Sequence, residues 1–70
     1  MLRCKFIRVV LRELSQADVA ALAKLTQADI SRIENGRLVP DERELRALAR
    51  VLGGDPARLL DRVDPVHEVQ

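Results

Sequence analysis

Residues 15–31 read SQADVAALAKLTQADIS, and one pattern occurs twice within this stretch. A hydroxyl residue, Gln, Ala, Asp and a β-branched apolar residue begin at Ser15 and again, eleven positions later, at Thr26. A hydroxyl residue three positions ahead of an acid is typical of a helix N-terminus, because the hydroxyl oxygen accepts from the backbone N–H of the third residue and the acid reaches back. A carboxylate in the first turn is also stabilised by the helix dipole. The repeat therefore predicts two successive helix starts.

An alternative interpretation is one continuous amphipathic helix over residues 15–35, since eleven residues make almost three turns. In that helix the capping geometry of Ser15 and Thr26 would be unused. The pair Asn35-Gly36 is moreover a C-terminal signal for a helix that began only nine residues earlier. We therefore favour a helix-turn-helix arrangement. It has helices over residues 16–23 and 27–35 and a tight turn at Lys24 and Leu25.

Helical signals predict three further helices. The first covers residues 3–12, where apolar side chains recur at helical spacing with Arg and Lys between them. The fourth begins around Asp41, carries an apolar stripe, and stops at Gly53. The fifth begins at Asp55, which is followed by proline at the first helical position.

Composition agrees with a small helical domain. The chain has 70 residues, of which 47% are hydrophobic, but Phe6 is the one aromatic residue, so the core must be aliphatic. A domain of this size has a thin core that a partner subunit would enlarge. We expect an all-α, compact five-helix domain over residues 1–63 with a central helix-turn-helix. Residues 64–70 are expected to fray or to contact a dimer partner.

Charge and reactive residues narrow the function classes. Residues 1–37 hold seven Lys and Arg against four acids, whereas residues 38–70 hold five against seven, so an anion would bind the N-terminal half. Cys4 is the one cysteine, which excludes an internal disulfide and fits a reducing cytoplasm. His67 stands alone, and neither a Ser/His/Asp set nor a Gly-rich phosphate loop is visible. We expect a cytoplasmic protein that is not an enzyme, with no metal, cofactor or membrane contact.

The outer face of the third predicted helix has the side chains of a DNA-reading surface. Ile30 and Ile33 point to one side, and at about 100° per residue the other side holds small, amide and Arg groups. Gln pairs bidentately with adenine, Arg with guanine, and a methyl group contacts thymine. The alternative is a simply solvated face. The residues assigned to base reading are Gln27, Ala28, Ser31 and Arg32.

Several motifs together resemble the Cro/lambda-repressor-type helix-turn-helix family, also called the Xre family. They are LSQADVA (14–20), LTQADISRIENG (25–36), the loop with Pro40, LRALARVLG (45–53) and DPARLL (55–60). The resemblance implies a compact five-helix domain that binds operator DNA as a dimer and acts as a transcriptional repressor or other regulator. Such proteins are bacterial or phage-encoded.

The resemblance also implies roles for single residues. The N-terminus of the second helix and the loop after the third meet DNA phosphates, while the outer face of the third helix reads bases. Gln16 would also buttress Gln27 in this arrangement. Phosphate contacts position the domain and base contacts specify the sequence. The residues that correspond to phosphate contacts are Ser15, Gln16, Thr26, Asn35 and Arg37, to which the charge of Lys24 could add one more.

The chain departs from the family pattern at several points. The connection before Ser15 is about two residues shorter than usual. The turn position that commonly holds a left-handed Gly is Lys24 here, at a cost of about 1 kcal/mol if its φ is positive. Asp29 is interpreted as a helix-capping residue rather than a base contact. Glu34 is interpreted as a structural acid that pairs with Arg8 or Arg12 of the first helix.

Apolar residues at the C-terminus leave two interpretations. Either Leu59 or Leu60 completes the core and the others fray, or a dimer interface forms there, which we favour. The predicted function is a homodimer that binds double-stranded DNA and reads a palindromic operator through helix 3. The alternative is a protein-binding module, such as an antitoxin that neutralises a toxin-like partner. The residues assigned to the dimer interface are Leu59, Leu60, Val63 and Val66.

Overall fold

The structure, a computed structural model, describes residues 1–63. It is all-helical, as predicted, and within this range the chain contacts itself in β geometry only at one isolated bridge, between Leu2 and Arg62. Among these residues no helix is long and apolar enough to cross a membrane. The helices are α1 (Arg3–Phe6), α2 (Gln16–Ala23), α3 (Gln27–Glu34) and α4 (Glu42–Leu52). A π-helical turn (Ile7–Leu11) continues α1, and the two together are called helix 1.

The repeated pattern marks two helix starts, so the single continuous helix is wrong. The Ser15 hydroxyl accepts from the backbone N–H of Asp18 at 3.0 Å, and the Asp18 carboxylate accepts from the N–H of Ser15 at 3.2 Å. In the second copy the Thr26 hydroxyl accepts from the N–H of Asp29 at 3.0 Å. Between the two helices Lys24 ends α2 in the left-handed conformation, with φ of 59°. A helix cannot continue through such a residue.

The connection between helix 1 and α2 consists of residues 12–15. The backbone N–H of Arg12 donates to the carbonyl of Ile7 at 2.8 Å, which widens the last turn of helix 1 into a π turn. Glu13 then takes the left-handed conformation, with φ of 54°. The N–H of Leu14 donates back to the Arg8 carbonyl at 2.9 Å, immediately before the cap of α2. These two local features turn the chain from helix 1 into α2.

The fourth helix has the predicted start and stop. Asp41 caps α4 and forms a reciprocal pair of hydrogen bonds with Glu44, at 2.8 and 2.9 Å. Gly53 ends it with φ of 77°. The Arg12 guanidinium lies against Gly53 and donates to the carbonyl of Leu52 at 2.9 Å, which satisfies one of the free carbonyls at this helix end. A side chain at position 53 would collide with that guanidinium.

The predicted fifth helix is wrong. Asp55 does cap the N–H of Ala57 at 3.0 Å, but only a short 3₁₀ turn follows, Pro56–Arg58. The next carbonyls bond the start of α1 instead: Leu59 accepts from the N–H of Cys4 at 2.9 Å and Asp61 from that of Arg3 at 2.7 Å. These bonds pair the segment after Arg58 with the start of α1 and satisfy the free N–H groups there, and the segment does not continue as a helix. Residues 1–63 contain four α-helices.

The core corrects one dimer assignment. Leu59 is 0% exposed and packs with Val19 and Ile33, each 1% exposed. It completes the core of its own chain, so a surface contact with a second subunit through Leu59 is wrong. Leu60 and Val63 are half-buried. The predicted contact of Val66 and the fraying of residues 64–70 lie outside the described residues.

Candidate nucleic-acid interface

The outer face of α3 is exposed while its inner face anchors the domain. Ile30 and Ile33 are 2% and 1% exposed, respectively, and belong to the core. On the other side Gln27, Ala28 and Arg32 are exposed. This placement agrees with the geometry expected from helical spacing. The fourth residue assigned to base reading, Ser31, is half-buried.

Arg32 is the longest side chain on this face, and it is only loosely held. Its guanidinium lies 3.5 Å from the Asp29 carboxylate one turn earlier, and the Arg32 side chain is 59% exposed. An ion pair this open to solvent contributes about 1 kcal/mol or less, so another acceptor can replace the carboxylate. Asp29 therefore keeps an unbound Arg32 near α3 without fixing it there.

Ser31 and Asn35 are coupled at the C-terminal end of α3. The Asn35 amide donates to the Ser31 carbonyl at 2.9 Å and approaches the Ser31 hydroxyl at 3.4 Å. Both side chains are thus partly committed to the helix end. The following loop turns at Gly36, with φ of 72°, and the N–H of Arg37 donates to the Arg32 carbonyl at 2.8 Å. Arg37 itself is exposed.

A buried charge cluster holds α3 against the rest of the domain. Arg8 donates to the two carboxylate oxygens of Glu34, at 2.6 and 3.0 Å, and the side chains are 10% and 4% exposed, respectively. A further N–H of Arg8 donates to the carbonyl of Leu14 at 2.8 Å. Of the two arginines offered as partners for Glu34, Arg8 is thus the one that pairs. The cluster joins helix 1, the start of α2 and the end of α3.

Gln16 has a role that the sequence did not reveal. Its side-chain amide donates to Glu34 at 3.0 Å, across eighteen positions of sequence. The resemblance assigned this residue to a phosphate and to Gln27, but in the free domain one of its N–H groups is committed to the buried acid. No periodic signal connects residues so far apart, so this contact required the structure. The second N–H and the carbonyl oxygen of the amide remain available for another partner.

Three further residues assigned to phosphate contacts lie on exposed turns. Ser15 and Thr26 are exposed, and although each hydroxyl oxygen accepts a capping bond, the hydroxyl hydrogen can still be donated. Lys24 is exposed in the turn between them. Its φ is positive, so the conformational cost that the sequence attached to a left-handed Lys24 applies.

Cys4 is a buried core residue rather than part of any surface. It is 3% exposed, and burial, together with the nearby negative charge of Glu34, raises the pKa of the thiol above its ordinary value. The neutral thiol therefore behaves as a small hydrophobic side chain. Among residues 1–63 no group of three His, Cys, Asp or Glu side chains is placed to hold a metal ion.

Comparison with known families agrees with this arrangement. A family model described as a helix-turn-helix domain matches residues 10–61, which is most of the chain. No curated protein and no solved structure matches the chain at a significant level. The matched span covers α2, the turn, α3 and α4, and ends within the segment that pairs with the N-terminus.

Proposed function

Because the chain belongs to the helix-turn-helix domain family, we propose that it is a sequence-specific DNA-binding regulator of transcription whose α3 enters the major groove. The observation that carries the proposal is the division of α3 into a buried Ile side and an exposed face of Gln27, Ala28 and Arg32. A major groove admits an α-helix and presents a distinct donor and acceptor pattern for each base pair. Arg8 donates to both carboxylate oxygens of Glu34, the last residue of α3, and so fixes α3 against the rest of the domain.

In this proposal the side chains of α3 differ in length and therefore in the base contact that each can make. Arg32 and Gln27 are long enough for bidentate contacts with guanine and adenine, whereas Ala28 keeps the helix close to the bases and contacts a thymine methyl group. Ser31 contributes less, since it is half-buried and coupled to Asn35. Asp29 releases Arg32 when a base edge takes its place.

Phosphate contacts flank this reading face. Exposed residues at the start of α2, in the turn and after α3 can donate hydrogen bonds or charge to the DNA backbone, which fixes the register without reading sequence. The phosphate contacts proposed are Ser15, Gln16, Lys24, Thr26, Asn35 and Arg37.

The resemblance to the Cro/lambda-repressor type supports a finer proposal, a homodimeric repressor on a palindromic operator. Two copies of α3 would then read half-sites about one helical turn apart. A domain with a modest positive charge holds DNA weakly alone, and a dimer doubles its phosphate contacts. Of the assigned interface residues Leu60, Val63 and Val66 stay in this proposal, while Leu59 is withdrawn.

The test is selection of bound sequences from a random pool of double-stranded DNA, followed by affinity measurements with single variants. We expect Arg32→Ala to lose about 1–3 kcal/mol of discrimination at one base pair, because that contact reads a base edge. Arg37→Ala should weaken binding to every sequence alike and lower the salt dependence. Arg46→Ala is the matched control, since Arg46 is exposed on α4 and pairs with Glu42. Unchanged affinity and sequence preference in Arg32→Ala would show that α3 does not read the DNA through this face.

A further inference from the structure

Beyond the DNA-binding proposal, we propose that a groove between the end of α2 and the outer side of α4 binds an acidic amphipathic helix of a partner protein. The groove has a volume of about 450 Å³. Its lining comes from α2, the turn after it and α4, and not from the outer face of α3. The residues on which the proposal rests are Leu22, Lys24, Arg43, Ala47, Arg50 and Val51.

The apolar part of the groove is an anchor site. Leu22 is 64% exposed, among the most exposed large hydrophobic residues that the structure describes. Beside it Ala47 and Val51 of α4 are half-buried, so apolar surface continues from one helix to the other. Covering such a surface with apolar side chains removes it from water and so favours binding. Helices that dock in grooves supply those side chains at positions i, i+3 or i+4, and i+7.

The rim of the groove is positively charged. Lys24, Arg43 and Arg50 are exposed, and within residues 1–63 none of the three forms an ion pair. Glu44 is the one acid in the lining, and its carboxylate accepts from the N–H of Asp41 at 2.9 Å as part of the α4 cap. The lining therefore carries three cations against one acid, so the net charge that a ligand meets beside the apolar residues is positive. Asp and Glu residues beside apolar anchors complement this arrangement.

A DNA backbone fits these observations less well than a protein does. Phosphates would use the three cations but would leave Leu22 in water, since a sugar–phosphate chain offers no apolar side chains to cover it. An acidic amphipathic helix uses both halves of the groove. The same contrast supplies the experiment, because the apolar and charged halves can be changed separately.

The probe is a displayed library of short helical peptides with Asp and Glu between apolar anchors, compared with a matched library in which Lys replaces every acid. Immobilised full-length protein without DNA should enrich binders from the acidic library only. For the best acidic peptide, Leu22→Ser and the double variant Arg43→Ala/Arg50→Ala should each weaken binding roughly tenfold or more.

Two control variants match those changes outside the groove. Leu11→Ser alters a residue that is 63% exposed, nearly the same as Leu22, and Arg46→Ala removes a neighbouring cation of α4. Both should bind the peptide as the original protein does. Circular dichroism confirms that each variant is folded before its affinity is compared.

Three kinds of result would overturn the proposal. The first is peptide binding that does not depend on the groove: either both libraries are enriched equally, or Leu22→Ser leaves peptide binding unchanged. The second is a loss of DNA affinity and salt dependence in Arg43→Ala/Arg50→Ala with peptide binding unaffected, which would assign the rim to phosphates. The third is a homodimer that Leu22→Ser dissociates on sizing, which would make the occupant a second copy. Since the peptide assay contains no DNA, failure here leaves the proposed role of α3 untouched.

Discussion

At the scale of single residues, the buried pair of Arg8 and Glu34 matters more for arrangement than for stability. Taking two charges out of water costs several kcal/mol for each ion, and attraction offsets this only when the geometry is good and further hydrogen bonds are made. Here both carboxylate oxygens are bonded, and Leu14 and Gln16 supply additional partners. These bonds form only when helix 1, α2 and α3 lie in one relative orientation. The pair therefore specifies how α3 is presented.

Removing one partner of this pair should be far worse than removing both. We expect Glu34→Leu to lower the free energy of unfolding by about 3–5 kcal/mol, because it leaves the Arg8 guanidinium buried without its counter-charge. Arg8→Met/Glu34→Leu should lose much less, since no unpaired charge remains. Urea unfolding of the two variants and the original chain measures both values. A double variant as unstable as the single one would show that the ion pair itself stabilises the fold.

Sequence reasoning identified Glu34 and narrowed its partner to Arg8 or Arg12, but it could not choose between them. In a regular α-helix the two arginines, four positions apart, lie on the same side. The π turn over Ile7–Leu11 adds a residue to the last turn, and Arg12 reaches the end of α4 instead, at the Leu52 carbonyl. A local change of helical pitch leaves no mark in the apolar pattern, so the choice required the structure.

At the scale of elements, two non-glycine residues in left-handed conformations connect the helices. Glu13 joins helix 1 to α2 with φ of 54°, and Lys24 joins α2 to α3 with φ of 59°. For a residue with a Cβ this conformation costs roughly 1–2 kcal/mol. Each connection is short because one residue in a left-handed conformation makes the turn, at this energetic cost, where a longer loop would otherwise be needed.

Relieving the strain at Glu13 should stabilise the domain. We expect Glu13→Gly to raise the free energy of unfolding by up to about 1 kcal/mol, since the exposed side chain is replaced where glycine has no steric penalty. A domain of this size gains roughly 4–8 °C in Tm per kcal/mol. The same exchange at Glu42 is the control with the opposite sign, because glycine in the first turn of α4 weakens the helix and removes the pair with Arg46. A lower Tm for Glu13→Gly would contradict the strain argument.

The helices whose ends carry capping residues were the predictable ones. Ser15, Thr26 and Asp41 marked three starts, and glycine marked the end of α4, because caps satisfy backbone groups locally and so leave a sequence signal. Asp55 carried the same signal, but the helix predicted after it is wrong, since the segment that follows Arg58 bonds the start of helix 1 instead. The outer face of α3 was predictable from its period alone. The groove beside α4 was not, since it requires knowing how two helices pack.

At the scale of the whole molecule, the two ends of the described chain hold each other. The Met1 carbonyl accepts from the N–H of Val63 at 2.8 Å, and the Cys4 N–H donates to Leu59 at 2.9 Å. Leu59 lies at the centre of the resulting contact, with no exposed surface. Leu59, one of the residues expected to contact a second subunit, instead stabilises the fold of its own chain.

Cys4 reports on this contact, because its thiol is buried beside the segment that Leu59 anchors. We expect Leu59→Ala to lower the free energy of unfolding by about 2–5 kcal/mol, through lost burial and a residual cavity. Cys4 is 3% exposed, so an alkylating reagent reaches it only when the fold opens, and its raised pKa keeps the native thiol neutral. The buried neutral thiol contributes its full stability below the ordinary pKa of 9.0, and this contribution is lost as the pH rises through the raised pKa of the folded state.

Alkylation of Cys4 near neutral pH should therefore accelerate about tenfold for each 1.4 kcal/mol lost in Leu59→Ala. Leu60→Ala is the matched control, since Leu60 is the adjacent leucine but only half-buried, and it should produce a smaller effect in both stability and labelling. Equal labelling rates in the two variants would mean that the C-terminal segment does not seal the core.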